Sequence, residues 1–326
     1  MRQFNKNLFL LLGVTLFVNC THKGVITISS FPIEKSVGYS AYEIDSIIDP
    51  AVIAVSNNYL FLLGISSDPI FQEYKLNNLD YVQCFGRRGR GPGEFAAPPI
   101  MYTARDQEKL YIYYSIDRTF TAYKILENGE LELEQKFTVD KSGVYNQFHI
   151  IKDSLLVHNL LRGIEKIDLA GGHSSKIEFT KNMNYEGRDF FHPDNGDLSV
   201  TNKYIVYAYW YKKQIDIYNI DNLSLKARLL AKGQSEKITS IEQPKRYYYN
   251  VYASENYIYA CYVDPDSDDE QNKYFVEVFD FNGKPIKRYN IGISLWGMFA
   301  VSSDDSAMYS YNWDLERILK FDIADD

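Results

Sequence analysis

Residues 57–86 read "NNYLFLLGISSDPIFQEYKLNNLDYVQCFG": a polar turn, an aromatic-rich strand, a second turn, a second strand, another turn and a third strand. Aromatic and β-branched residues set between Asn, Asp, Gly and Pro are the pattern of short pleated strands. The unit recurs along the chain. Its leading strands begin near Tyr59, Leu110, Leu155, Tyr204, Tyr257 and Met308, so successive copies lie 45 to 53 residues apart. A period near that length, with three or four strands per unit, fits the blades of a β-propeller. A short apolar segment precedes each leading strand, at 52–55, 101–104, 148–151, 198–201, 249–253 and 298–301, and these segments are expected to be the innermost strands.

The sequence therefore predicts an all-β, six-bladed β-propeller with four-stranded antiparallel blades and a ring closed by an N-terminal strand. A blade cannot bury both of its faces alone, so the six must stack and close. The last unit ends at Asp326 after its third strand, and residues 24–30, "GVITISS", are expected to supply the missing outer one. Asn128-Gly129, Gly171-Gly172 and Asn282-Gly283 fall between third and fourth strands, where a tight hairpin needs positive φ. No long stretch carries a 3.6-residue apolar period with caps, so few helices are expected. A β-sandwich followed by a second β domain would not produce six evenly spaced units.

The totals agree with this fold and exclude other classes. Of 326 residues, 45% are hydrophobic and 15% aromatic, which argues against disorder. The net charge of -8 disfavours nucleic acid as a partner, because such binders need a basic field to displace counterions. The cysteines are Cys20, Cys84 and Cys261. Their number and spacing match neither a disulfide framework nor a zinc site. Cys84 and Cys261 read as two buried free thiols, with a bridge between them as the alternative.

Arg2 and Lys6 precede the apolar run 8–18, "LFLLLGVTLFV", in the layout of a signal peptide. The run is shorter than the roughly 20 residues a membrane-spanning helix needs. It ends at Phe17-Val18-Asn19-Cys20, which resembles the lipobox of bacterial lipoproteins, although Phe17 and Asn19 depart from the usual Leu and small residue. Looser boxes of this kind look like those of Bacteroidetes lipoproteins. The resemblance implies that the Cys20 thiol receives a diacylglyceryl group and becomes the first residue after cleavage; the alternative is a cleaved secretory peptide with an incidental cysteine. The expected division is a signal peptide and lipobox at 1–20 and one propeller domain at 21–326. The chain is then exported and held at the cell envelope, at the outer membrane, touching the membrane through its N-terminal lipid only.

At residues 85–95, "FGRRGRGPGEF", the chain resembles a glycine-rich turn common in Bacteroidetes lipoproteins that carry TolB-like six-bladed propellers. That family implies a fold and an envelope location, and it brings no catalytic residues with it. The segment is neither a P-loop, which needs G-K-[ST] opening a helix, nor a dinucleotide fingerprint between strand and helix. Its plainer reading is a blade-to-blade connection in which glycines permit left-handed backbone, Pro92 stiffens the turn, Phe95 anchors it and Glu94 pairs with an Arg. The functional reading is that Arg87, Arg88 and Arg90 present guanidinium forks to an anionic ligand.

The hairpin 264–270, "DPDSDDE", places carboxylates at alternate positions, but the Gly and Glu of a calcium loop are replaced by Asp269 and Phe275. No cofactor is expected, and weak calcium binding there is the alternative. The five histidines form no H-x-x-x-H or H-E-x-x-H pair; His149, His158 and His192 are the ones to locate in a structure. The clusters "YAYWY" (207–211), "RYYYNVY" (246–252) and "YSYNW" (309–313) read mainly as core, because alternate side chains along a strand face opposite ways. Trp210, Trp296 and Trp313 are the candidates for stacking on a ligand at the channel mouth. No catalytic residue is assigned. The leading functional reading is a non-catalytic binding or scaffold propeller for an envelope protein, peptide or glycan. The competing one is a propeller enzyme, a metal-dependent lactonase or a glycan-active hydrolase or lyase, which requires pKa-shifted groups converging at the channel.

Overall fold

The computed structural model describes residues 24–44, 47, 49–104, 108–139, 147–160, 163–179, 192–234, 245–269, 273–295 and 298–324. Among them there are 26 strands and no helix. Three strands come first: β1 (Val25–Ile28), β2 (Glu34–Ser36) and β3 (Ser40–Glu43). Blade 1 follows as β4 (Pro50–Val55), β5 (Tyr59–Gly64), β6 (Phe71–Lys75) and β7 (Tyr81–Phe85). Blade 2 is β8 (Ile100–Ala104), β9 (Lys109–Tyr114), β10 (Thr119–Ile125) and β11 (Leu131–Thr138). Blade 3 is β12 (Phe148–Ile151), β13 (Leu155–Leu160), β14 (Gly163–Asp168) and β15 (Ser174–Glu178). Blade 4 is β16 (Gly196–Val200), β17 (Tyr204–Tyr209), β18 (Gln214–Asn219) and β19 (Leu225–Ala231). Blade 5 is β20 (Tyr248–Ala253), β21 (Ile258–Val263), β22 (Tyr274–Phe279) and β23 (Pro285–Asn290). Blade 6 is β24 (Phe299–Val301), β25 (Ala307–Asn312) and β26 (Arg317–Asp322). The expected inner and leading strands coincide with these to within two residues.

Six apolar clusters hold the ring, one between each pair of neighbouring blades. The two-residue period of a strand decides which cluster a side chain joins. On β5, Tyr59, Phe61 and Leu63 face blade 2, whereas Leu60 and Leu62 face blade 6. On β17, Ile205, Tyr207 and Tyr209 face blade 3, whereas Val206 and Ala208 face blade 5. Each fully buried Leu, Ile or Phe stabilises this arrangement by about 1.5–3 kcal/mol.

Antiparallel order puts the connections on two faces of very different character. First-to-second strand turns hold three to five residues, and the five hairpins between third and fourth strands hold five each. These make one face, called the turn face below. In the hairpins, Gly129, Gly172 and Gly283 have φ of 87°, 65° and 83°, as the Asn-Gly and Gly-Gly pairs require. The opposite loop face carries the connections between blades, up to 17 residues long before β16, and the ten-residue acidic hairpin of blade 5.

The ring is closed by an N-terminal strand, but not by the expected one. β3 pairs antiparallel with β26 and completes blade 6, with Arg317 Nη2 2.8 Å from Glu43 Oε1. Residues 24–30 instead contribute β1, which runs parallel to β19 as a fifth strand of blade 4; β2 does the same against β23 of blade 5. Chain connectivity explains the choice. Six residues separate Glu43 from Pro50, whereas 21 separate Ile28 from it, and the shorter loop closes at lower entropic cost. The apolar side chains of the leading segment fill outer wedges between blades: Ile26, Ile28 and Phe31 between blades 4 and 5, and Val37 between 5 and 6. Cys84 also departs from expectation, being exposed on the outer strand of blade 1; Cys261 is buried, and both thiols are free.

Truncation separates these two roles. Removing the chain through Ser36 strips the fifth strands from blades 4 and 5, and should lower the denaturation midpoint while leaving one cooperative transition. Removing it through Glu43 opens the ring and should abolish cooperativity. Urea unfolding followed by circular dichroism checks both.

Candidate functional site

The inner strands line a central channel containing two cavities. One of about 260 Å³ lies toward the loop face beside Ala51, Ile100, Gln147 and Met298. The other, of about 190 Å³, lies toward the turn face beside Val55, Thr103, Asn202 and Glu255. They share a waist of Ile53, Met101, Tyr102, His149, Leu198, Asn250 and Phe299. A larger open groove of about 1450 Å³ runs between blades 1 and 2, with Arg90 at its rim, but no charge is buried within it. Charge is buried instead at the loop-face end of the channel, where blades 3, 4 and 5 meet.

Asp197 is the centre of that cluster. It stands near the start of β16, 5% exposed, in a strand whose neighbours Leu198 and Val200 are core. Gln147, ahead of β12, donates to its Oδ1 at 2.5 Å, and the Trp210 indole donates to its Oδ2 at 2.7 Å. The Gln147 carbonyl oxygen is held by Asn159 Nδ2 at 2.9 Å and Leu198 N at 3.2 Å, which fixes the amide so that its NH₂ faces Asp197. Trp210 is positioned through its backbone, its N–H donating to the Asn195 carbonyl and its carbonyl accepting from Tyr247 N. Its ring carries the Arg246 guanidinium at 4.5 Å, and Tyr249 holds the same guanidinium at 4.2 Å. Burial pushes the Asp197 carboxyl up to about 6, against the Trp210 and Gln147 hydrogen bonds and the Arg246 charge, which favour ionisation.

His149, the second residue of β12, lines the waist of the channel. Its Nε2 donates to the Leu198 carbonyl at 3.3 Å and its ring meets Tyr102 edge-on at 4.4 Å. Burial lowers its pKa to about 4, so it is neutral, and its enclosed Nδ1 has no hydrogen-bond partner among the described residues. Beside this cluster Lys212 Nζ contacts Asp194 at 2.7 Å, a buried ion pair that secures the loop entering β16. The arrangement offers a guanidinium, a carboxyl whose pKa burial raises to about 6, and aromatic faces on one rim.

Of the expected site residues, Trp210 is the one this cluster contains. Trp313 occupies the matching hairpin of blade 6 on the same face, 39% exposed and edge-on to Tyr311, two blades away. Trp296 lies outside the described residues, as do Cys20 and the rest of residues 1–23. Arg87, Arg88 and Arg90 are exposed in the connection from blade 1 to blade 2. Arg88 secures that connection, donating from Nε to Ser67 O and from its backbone N to Asp68. Glu94 accepts from Gly91 N at 2.8 Å, in place of the expected arginine. Phe95 does anchor the turn, edge-on to Phe71 and Tyr114. His158 is core, 3.0 Å from Glu165 in blade 3, and His192 accepts from Asp194 N. In the acidic hairpin Asp266 pairs with Lys245, and Asp264 accepts from the Asp266 backbone; Glu270 lies outside the described residues. Gln147, Asp197, Arg246 and Asn250 were not singled out from the sequence. The available signal was an acidic residue inside an inner apolar strand, "GDLSV".

A family profile described as "TolB-like 6-blade propeller-like" matches residues 39–304. Among solved structures, a crystal structure of a Bacteroides fragilis protein described as a candidate exported protein is similar, with 12% identity and a TM-score of 0.57, over 93% of this chain and 100% of that one. No curated protein matches. In all, 908 solved chains match, so the architecture is widespread and by itself selects no chemistry.

The raised Asp197 pKa has two measurable consequences. Tryptophan emission should show a step centred near pH 6 that disappears in Asp197→Asn and in Trp210→Phe. An acid whose pKa is higher folded than unfolded binds its proton more tightly in the fold. Stability should therefore fall by roughly 2–3 kcal/mol as pH rises from about 4 to about 6, then level off, and Asp197→Asn should flatten that slope.

Proposed function

The chain belongs to the TolB-like six-bladed propeller family, and on that footing we propose that it is an exported, lipid-tethered binding protein whose loop-face mouth holds an envelope protein, peptide or glycan. One observation carries the proposal: the long connections and the buried charged cluster around Asp197 share one face, while the other face is built from turns of three to five residues. Loops on a rigid frame are where binding residues concentrate. Arg246, flattened between Trp210 and Tyr249, presents a pre-organised guanidinium at little further entropic cost. Export and the lipid at Cys20 rest on the basic residues, apolar run and lipobox-like "FVNC" at the amino terminus. The Bacteroides fragilis protein, described as a candidate for export, is in keeping with that address.

A second reading is favoured by one feature. A carboxyl titrating near pH 6 at a channel mouth suits proton transfer, so a glycan-active hydrolase or lyase using Asp197 as its acid or base is the alternative. The two readings part on Asp197→Asn. In a binding protein the variant retains affinity within a few-fold, whereas in an enzyme it abolishes turnover.

The test is a panel of peptidoglycan fragments, envelope polysaccharides and envelope peptides titrated calorimetrically against the mature protein. A ligand of the mouth should lose about tenfold in affinity with Arg246→Ala, corresponding to roughly 1–2 kcal/mol, and be unaffected by Asp314→Ala on blade 6. Binding that ignores Arg246 and Trp210 would refute the mouth as the site.

A further inference from the structure

We infer that the open groove between blades 1 and 2 receives an extended segment of a partner protein, added parallel to β7 as a fifth strand of blade 1. This surface lies on the flank of the ring and is independent of the mouth around Asp197. Two blades already hold segments of this same chain in that way. β1 lies parallel on β19 of blade 4 and sends Ile26 and Ile28 into the wedge toward blade 5. β2 lies parallel on β23 of blade 5, and Val37 just beyond it enters the wedge toward blade 6. In both, the added strand sits on the fourth strand of one blade and fills the gap to the next.

Three other wedges are filled from within. Phe137 stacks on Phe120 between blades 2 and 3, Phe179 packs on Tyr207 between blades 3 and 4, and Tyr42, Ile44 and Ile47 cover the gap between blades 6 and 1. Between blades 1 and 2 a groove of about 1450 Å³ stays open. It runs the height of the sheet, from Leu126 in the turn-face hairpin of blade 2 to Ile116 at the loop face, with Ile116 62% exposed. Beside it, among the described residues, β7 pairs only with β6. Its outer edge is therefore a template for another strand. Gln83 and Phe85 lie on the face of β7 turned to the groove, and the exposed Cys84 on the opposite face.

The chemistry of the occupant follows from the same geometry. A five-residue strand is about 17 Å long, so a segment of about that length fills the edge. The wedge takes apolar side chains at alternate positions, as it does from β1. Along the groove Glu94, Asp117, Glu130 and Glu132 outnumber Arg90 and Lys136, which favours a segment of net positive charge. β1 also shows which backbone groups would bond. Gly24 O accepts from Arg228 N and Ile28 O from Lys232 N, so the residues that face the wedge are those whose peptide groups face the fourth strand.

The probes are fluorescein-labelled heptapeptides flanked by Lys, with Val, Ile, Leu or Phe at the second, fourth and sixth positions and Thr between them. Anisotropy reports their binding to the purified full chain. N-methylation of an apolar residue should lower affinity about tenfold, and N-methylation of an intervening Thr should change it little. Glu flanks in place of Lys should weaken binding several-fold. Cys84 reads the register: when a Cys is walked through the peptide under glutathione exchange, mixed disulfides found by mass should be confined to the intervening positions, which share its side of the sheet. Absence of binding across the set, equal loss from both N-methyl series, or disulfides at every position overturns the added strand. Tighter binding with Glu flanks overturns the positive occupant. A protein that takes up no peptide but cross-links to itself through Cys84 has a second copy on β7, and overturns the partner.

Discussion

Packing between blades is the interaction on which the remainder of this structure depends. Every central strand is apolar on both faces, so a single blade in water would leave half of its core exposed. The fully buried Leu60 and Phe61 are adjacent in sequence yet serve different interfaces, one toward blade 6 and the other toward blade 2. Repeating that division around the ring makes each blade both a support and a load. The last interface, between blades 6 and 1, forms only if blade 6 is a complete sheet, which is why four residues of the amino-terminal segment, β3, carry so much weight.

Polar bridges at the rims reinforce this frame. In the first turn of blade 3, Asp153 has a φ of 53° and accepts from the Tyr111 hydroxyl and from Lys109 of blade 2. In blade 6, Asp305 has a φ of 58° and accepts from Tyr259 and Asn256 of blade 5. The left-handed backbone aims each carboxylate back at the preceding blade. A different pattern marks blades 3, 4 and 5, whose third strands bury Glu165, Asp216 and Glu277 opposite Lys176, Arg228 and Arg288 on the fourth. Asp216 takes both Nε and Nη2 of Arg228 at 2.8 and 2.7 Å, and accepts as well from the Tyr209 and Tyr218 hydroxyls and from Gln214 Nε2, as a buried carboxylate requires. The same three blades build the mouth around Asp197. The ring is regular in shape and lopsided in chemistry.

Much of the fold was legible because propeller strands are local. Short apolar runs, Asn-Gly pairs and a period near 50 residues all act within one blade, and the inner strands appeared where those signals put them. The candidate site was legible only in part. Trp210 stood out as an aromatic on a strand end, but its indole serves Asp197 first, and its ring face serves Arg246. Asp197, Gln147 and Arg246 lie 99 residues apart at their extremes and meet only because successive inner strands share one channel. No short-range pattern ties them together. The arginine-rich turn was conspicuous for the opposite reason: its glycines and Arg88 form a compact local structure that closes on itself.

Sequence alone determined the class of fold, the number and order of blades and the need for an N-terminal strand in the last blade, because each follows from hydrophobic pattern over a few residues or from a simple count. Tertiary structure decided which segment closes the ring, that "VITI" sheathes blade 4 instead, that the connections divide into a spare face and a rich one, and that burial raises the Asp197 pKa. Those outcomes depend on distances between residues far apart in the chain and on how deeply a carboxyl is withdrawn from water. Neither quantity exists until the blades have closed against one another.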